Sequence, residues 1–217
     1  MTPRTGAERA AHPPSPSTPA PVGGPPSTRR SILRRGTGLA AAGVVVGVAG
    51  LGYLLSRPGN DRQLVFTSLA EAMREVERLA AASAHAQALE PATAWSWAET
   101  LEHCAQSIEF SLRGFPAPRS ALFQNTVGSA AFQVFALRGR MSHNLAEPIP
   151  GAPVLSASAA SASAMLARLR TAAQHFQDHT GPLHSHFAYG DLNKAQYEQA
   201  HAMHLANHLS AFDVRAG

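Results

Sequence analysis

The chain has 217 residues and a formal net charge of +4, long enough for one domain with a hydrophobic core and an additional segment. The excess of positive charge lies in residues 1–58, which hold seven arginines and one acidic residue, whereas residues 59–217 hold 11 basic and 13 acidic residues. A folded part with a net charge of −2 argues against a nucleic-acid-binding surface, so we expect no nucleic-acid partner. Cys104 is the only cysteine, which excludes an intramolecular disulfide.

The first 58 residues have the composition of a leader rather than of a folded domain. Residues 1–28 are rich in Pro, Ser, Thr, Gly and Ala, and we predict that they are disordered. Residues 28–34 read Thr-Arg-Arg-Ser-Ile-Leu-Arg, which resembles the twin-arginine export signal, and an apolar run follows at 39–55. We therefore predict that residues 29–58 form a twin-arginine signal or membrane anchor. The folded part would then lie on the periplasmic side, tethered to the inner membrane by this apolar helix, or be secreted if the signal is cleaved.

Residues 61–217 are predicted to form one helical domain. Helical periodicity recurs, broken by Pro and Gly, and no strand-like alternation is evident. The pattern predicts helices at about 68–89, 95–114, 120–138, 159–179 and 193–212. Ser96 with Glu99, and Asn193 with Gln196, have the spacing of capping boxes at two helix starts. Five such helices bury their apolar stripes best in an all-α fold, an antiparallel four-helix bundle with one additional helix.

The last predicted helix carries the clearest candidate for a metal site. His204 and His208 are four residues apart, so both imidazoles lie on one helix face and can reach one divalent ion. His103, on the second predicted helix, can converge with them in a bundle. Three protein nitrogens with one water leave a metal open for chemistry. The alternative is that these histidines are hydrogen-bonded core residues that bind no metal.

The other polar candidates have less defined roles. His201 lies one turn before His204, and His201 and Glu102 could orient the ligating imidazoles. His143 is expected on a loop, and the pair His184 and His186 has a spacing that is weak evidence for a metal site outside a helix. The roles of these histidines stay open. Cys104 is expected to be a small core residue rather than a thiolate ligand.

Two motifs carry a resemblance to a known family. Residues 95–103 read Trp-Ser-Trp-Ala-Glu-Thr-Leu-Glu-His, and His204-x-x-x-His208 follows about 100 residues later; together they resemble the DinB-like metal-binding helical-bundle superfamily. Pro-Ile-Pro-Gly-Ala-Pro at 148–153 and Phe-Ala-Tyr-Gly-Asp-Leu at 187–192 resemble a branch of it that is a domain of unknown function. The resemblance covers about residues 64–213.

The resemblance implies a divalent metal, most commonly zinc or nickel, bound by His103, His204 and His208. Some members of the superfamily are thiol S-transferases or isomerases that use bacillithiol or mycothiol. This chain departs from the branch pattern at Asn207, where the branch has a histidine, and at Ser210, where it has an arginine. The loss of that basic neighbour puts the binding of an anionic substrate in doubt.

Three functions are compatible with these features. The first is a metal-dependent hydrolase or transferase that acts on an unknown small molecule. No glutamate lies between the paired histidines, so the zinc-protease motif is absent. The second is a non-catalytic metal-binding or interaction module, and the third is a helical bundle whose histidines are core residues. A homodimer is compatible with such a bundle, although no self-complementary face is evident.

Overall fold

The computed structural model describes residues 62–84, 89–91, 93–156 and 162–214. The predictions of a disordered segment at 1–28 and of a signal or anchor at 29–58 lie outside these residues. Within the described ranges, no helix is both long enough and apolar enough to cross a membrane.

The described residues form five helices and two short strands. Helix α3 consists of three continuous segments, with one π-helical turn between two α-helical parts. In chain order the elements are α1 (Leu69–Ala84), β1 (Leu89–Pro91), α2 (Trp97–Arg113), α3 (Ala121–Phe123, Gln124–Gly128 and Ser129–Arg138), α4 (Ala162–Asp178), α5 (Lys194–Leu209) and β2 (Phe212–Val214). The prediction of a mostly helical fold is confirmed.

The starts of α2 and α5 are defined by their capping boxes, as predicted. The Ser96 hydroxyl accepts a hydrogen bond from the Glu99 N–H at 3.3 Å, and the Glu99 carboxylate accepts one from the Ser96 N–H at 2.8 Å. Asn193 and Gln196 exchange the equivalent pair of bonds, both at 2.9 Å. These bonds satisfy backbone N–H groups that have no partner within the helix. They fix where each helix begins, and hence which residues lie on its inner face.

The core is formed where these helices pack on each other. α2 packs along α4, while α1 and α2 also contact α5. The fully buried side chains are large and apolar, and they come from all four of these helices; they include Leu69, Leu79, Leu101, Ile108, Leu169, Phe176, Leu205 and Leu209. Burying apolar area of this kind is the main favourable term in folding. The packing brings the inner faces of α2 and α5 together.

The prediction that the folded domain lacks strands is wrong at its two ends. β1 and β2 pair antiparallel, with Leu89 opposite Val214 and Pro91 opposite Phe212. The first and last helices are therefore shorter than predicted, ending at Ala84 and Leu209. Each strand has three residues, which is too short for alternation to be recognised in sequence.

Helix α3 covers one side of α5, and much of the apolar surface of α3 itself is exposed. Phe132 and Phe135 are buried, whereas Leu122 and Leu137 are 76% and 88% exposed. Gly128, in the π-helical segment, lies close to the carbonyl oxygen of Ala188, which a Cβ on Gly128 would meet at 1.8 Å. This approach holds the loop 183–192 against α3.

Candidate metal centre

The three predicted ligands converge in the structure. His103 on α2 and His204 and His208 on α5 each offer a nitrogen, and these nitrogens all lie within 4.8 Å of one another. The Nε2 atoms of His103 and His204 are 3.2 Å apart. The ring centroids of the three imidazoles are separated by 4.7–5.0 Å. Two helices whose contributing residues are about 100 positions apart thus build one compact cluster.

One short distance and one unsatisfied nitrogen in this cluster fit a bound ion. Two nitrogens bound to one tetrahedral ion at about 2.0–2.1 Å lie roughly 3.3 Å apart, close to the observed 3.2 Å between His103 and His204. The buried Nε2 of His208 has no hydrogen-bond partner among the described residues. A buried polar atom without a partner is costly, and a metal would use such a lone pair. The three residues could therefore hold a divalent metal.

Burial keeps these imidazoles in the form that binds metals. His103, His204 and His208 are 2%, 8% and 1% exposed. Burial, with a smaller effect of nearby His143, lowers the pKa of His103 to about 3. Burial and the neighbouring histidines also hold the pKa values of His204 and His208 well below the usual range. All three rings are neutral at pH 7, with a lone pair on one nitrogen of each.

Two further rings, those of Trp95 and His143, lie outside the helices and pack against the cluster. The Trp95 ring stacks on His208 with centroids 5.9 Å apart and contacts His103 at 4.7 Å. His143 lies against His204 and His208, with centroid distances of 5.2 and 5.0 Å. The Nδ1 of His143 is 3.1 Å from the Asn144 carbonyl oxygen, so Nδ1 carries the proton and donates. Sequence reasoning placed His143 on a loop, correctly, but no spacing signal showed that this loop reaches the histidine cluster.

A cavity of about 270 Å³ opens beside the cluster. His103 and His204 line it, so the candidate centre is accessible from the cavity. The remaining lining combines apolar side chains with a few polar ones; it includes Phe135, Met141, Ile149, Phe187, Ser107, Arg119, Glu147, Tyr189, His143, His186 and His201. The volume is slightly below that of typical ligand pockets, which indicates a small ligand.

Neither residue that was expected to orient the ligating imidazoles does so. The Glu102 carboxylate accepts hydrogen bonds from the Ser156 N–H at 2.8 Å and from Arg168 at 3.3 Å. The His201 ring is directed at Ser111, with Nε2 3.2 Å from its hydroxyl. For Glu102 the difference follows from helix geometry, since one residue of offset from His103 rotates its side chain by about 100° away from the ligand face. His201 lies about one turn before His204, and its contact with Ser111 on α2 directs its ring away from the cluster.

The other sequence candidates are also placed. His186 is buried and lines the cavity, whereas His184, two residues earlier, is exposed. The two therefore do not form a His-x-His site. Cys104 is 1% exposed, and burial raises the pKa of its thiol to about 12, so it is a neutral core residue as predicted.

Comparison with known families places this geometry in context. A family model described as "Protein of unknown function (DUF1569)" matches residues 59–215. The chain belongs to this family. The match includes every residue of the histidine cluster and of the cavity, and it agrees with the prediction of a domain of unknown function. No curated protein and no solved structure matches the chain.

Proposed function

We propose that the protein binds one divalent metal ion through His103, His204 and His208 and acts as a metal-dependent hydrolase or transferase on a small molecule. The observation that carries this proposal is the convergence of three neutral imidazoles, two of which line a cavity. A closed structural site would not need access from a cavity. Zinc or nickel are the ions we expect, because imidazole nitrogens suit both.

The residues around the cluster suit this chemistry. A bound ion would supply Lewis acidity, with a coordinated water or substrate atom in the open position. Trp95 covers one side of the histidines and keeps water from it. The apolar wall that includes Phe135, Met141 and Phe187 would receive the body of the substrate. Low dielectric in such a cavity strengthens each polar contact that a substrate makes.

Three further assignments belong to this proposal. The fold would be a DinB-like antiparallel four-helix bundle with one additional helix, supported by the helix order and by the positions of the three histidines. The protein would be exported by the twin-arginine route and either remain tethered to the inner membrane or be released by cleavage, supported by the sequence at 28–55. The exposed apolar surface of α3 is compatible with a homodimer.

Metal content is the direct test. The full-length chain is expected to hold about one equivalent of zinc or nickel by mass spectrometry, and His204→Ala to lose it. His184→Ala is the matched control, because His184 is an exposed histidine on a different segment. If neither the isolated protein nor protein reloaded with zinc, nickel or manganese retains an ion, the proposal is wrong.

A non-catalytic metal-binding module is the second candidate. The observation that favours it is the position of His143, whose ring lies 5.2 Å from that of His204 and could supply a fourth nitrogen. The visible spectrum of the cobalt-substituted protein separates the two functions. A spectrum that changes when small anions such as azide are added indicates an exchangeable position and favours the enzyme. A spectrum that is insensitive to azide and altered by His143→Ala favours the closed site.

A further inference from the structure

Besides His143, two histidines of the cavity lie outside the proposed metal site, and the structure defines which of their nitrogens carries the proton. The first is His186. Its Nδ1 accepts hydrogen bonds from the backbone N–H groups of Ala188 and Tyr189, at 3.1 and 3.2 Å. A nitrogen that accepts from two N–H groups cannot carry a proton itself, so the single proton of the neutral ring is on Nε2. His186 therefore presents an N–H donor at Nε2.

The second is His201, which presents a hydrogen-bond acceptor instead of a donor. Its Nε2 is 3.2 Å from the Ser111 hydroxyl oxygen, and that hydroxyl donates its only proton to the Ile108 carbonyl at 2.6 Å. Since the serine proton is already used, His201 Nε2 must be the donor of the pair. The Nδ1 of His201 is left with a lone pair, so it presents a hydrogen-bond acceptor.

Both remaining nitrogens face the cavity. Within the described part of the chain, neither the Nε2 of His186 nor the Nδ1 of His201 has a hydrogen-bond partner. Both atoms still contact solvent, because the fully buried side-chain atoms without a partner do not include them. The side chains are only 8% and 2% exposed, and both line the cavity. The solvent that these two nitrogens touch is therefore that of the cavity.

The two rings share one neighbouring side chain. Both pack on Tyr197, with ring centroids 6.2 Å away for His186 and 5.4 Å away for His201. A donor and an acceptor thus line the same cavity, each oriented by contacts on its other nitrogen. Neither contact involves His103, His204 or His208.

We propose that His186 and His201 form a subsite for a neutral polar group that offers both a hydrogen-bond acceptor and a donor, such as a primary amide. The group would accept from Nε2 of His186 and donate to Nδ1 of His201. A carboxylate would place negative charge against the lone pair of His201, and an ammonium would place N–H groups against that of His186. The proposal rests on the proposed function in treating this cavity as the substrate site.

The tautomers can be read directly. In the full-length chain labelled with ¹⁵N-histidine, two-dimensional imidazole spectra at about pH 7 report the protonation of each ring nitrogen. We expect an unprotonated Nδ1 and protonated Nε2 for His186, and a protonated Nε2 for His201. A protonated Nδ1 on either ring would overturn the proposal before any ligand is added.

The specificity is tested with three aromatic probes of similar size: benzamide, benzoate and benzylammonium. Their dissociation constants are measured by the shifts of the same imidazole signals. Benzamide is expected to bind at least about tenfold more tightly than either charged probe, because a mismatched partner leaves a buried polar group unpaired. Tighter binding of benzoate would show that Arg119, also in the cavity lining, governs the site, and it would overturn the proposal.

Two variants separate the role in binding from the role in folding. His186→Asn keeps an acceptor near the Nδ1 position for the two backbone N–H groups, and His201→Gln keeps a donor near the Nε2 position for Ser111. Each replaces the ring and so removes the nitrogen that faces the cavity while keeping the group that contacts the protein, and each should weaken benzamide binding about five- to tenfold. His184→Asn, on an exposed side chain, should not weaken it. Unchanged affinity in both cavity variants would overturn the proposal.

Failure of this subsite can be told apart from failure of the metal site. The titrations are run on metal-free and on zinc-loaded full-length protein, with bound zinc measured separately. Benzamide preference without zinc binding supports the subsite and refutes the metal centre. Zinc binding without benzamide preference, in either form of the protein, supports the metal centre and refutes the subsite.

Discussion

Acidification should unfold the metal-free protein through its buried histidines. Burial lowers the pKa values of His103, His186 and His201 from 6.5 to about 3, and those of His204 and His208 also lie well below 6.5. Since these pKa values are lower in the folded state, the unfolded state binds more protons between about pH 6.5 and pH 3. The free energy of unfolding must therefore fall as the pH falls through that range.

The size of this decrease in the free energy of unfolding follows from the number of buried histidine rings. A histidine that stays neutral in the folded state but is protonated in the unfolded state lowers the free energy of unfolding. The decrease is about 1.4 kcal/mol per pH unit below 6.5, or roughly 2 kcal/mol at about pH 5. Five such rings together cost about 10 kcal/mol, which is comparable to the whole stability of a typical domain, about 5–15 kcal/mol. We expect the metal-free protein to be largely unfolded near pH 5, and zinc to shift this transition to lower pH.

Urea denaturation followed by circular dichroism measures this dependence. The full-length chain is treated with a chelator, and its free energy of unfolding is determined at several values between about pH 7 and pH 5.5. His186→Asn removes one buried ring and should make the slope shallower by about 1.4 kcal/mol per pH unit. His184→Asn, at an exposed side chain, should keep the wild-type slope. A free energy of unfolding that does not change over this range would refute the reasoning.

Three other changes test the packing around the site. Gly128→Ala should destabilise the protein by about 1–3 kcal/mol, measured by urea denaturation, because the new Cβ would lie 1.8 Å from the Ala188 carbonyl oxygen. Arg168→Met should cost about 2–4 kcal/mol by the same measurement, because it removes the cation that pairs with both Glu109 and the buried Glu102 carboxylate. Cys104 should react with iodoacetamide at least about 100-fold more slowly in the native protein than in urea, because its thiol is buried and neutral.

Matched controls separate these effects from general sensitivity to mutation. Gly181→Ala adds a Cβ near the partly exposed ring of His179 instead of a backbone carbonyl and should cost less than about 1 kcal/mol. Arg170→Met removes an exposed ion pair with Glu77 and should also cost less than about 1 kcal/mol. If the variant and its control change stability equally, the contact at Ala188 or at Glu102 does not contribute as argued. Equal alkylation of native and unfolded protein would show that Cys104 is accessible.

The starts of α2 and α5 could be predicted because helix capping is local. Ser96 with Glu99 and Asn193 with Gln196 satisfy backbone N–H groups within three residues, and the structure contains both capping boxes. Helix ends were predicted less well. Leu89 and Phe212 were placed in helices but lie in paired strands, because pairing between segments more than 120 residues apart depends on tertiary contacts.

The local spacing of His204 and His208 was sufficient to nominate one face of a metal site, since it depends only on the helical repeat. Three features of the site depend on the tertiary structure: the approach of His103, the position of His143 against the cluster, and the fixed tautomers of His186 and His201. Each arises where separate segments meet, through burial or through hydrogen bonds that no short sequence pattern encodes. The sequence by itself determined which residues could bind a metal. The packing of α2 and of the loops against α5 decided which of these residues share a cavity. It also decided which of their ring nitrogens donate and which accept a hydrogen bond.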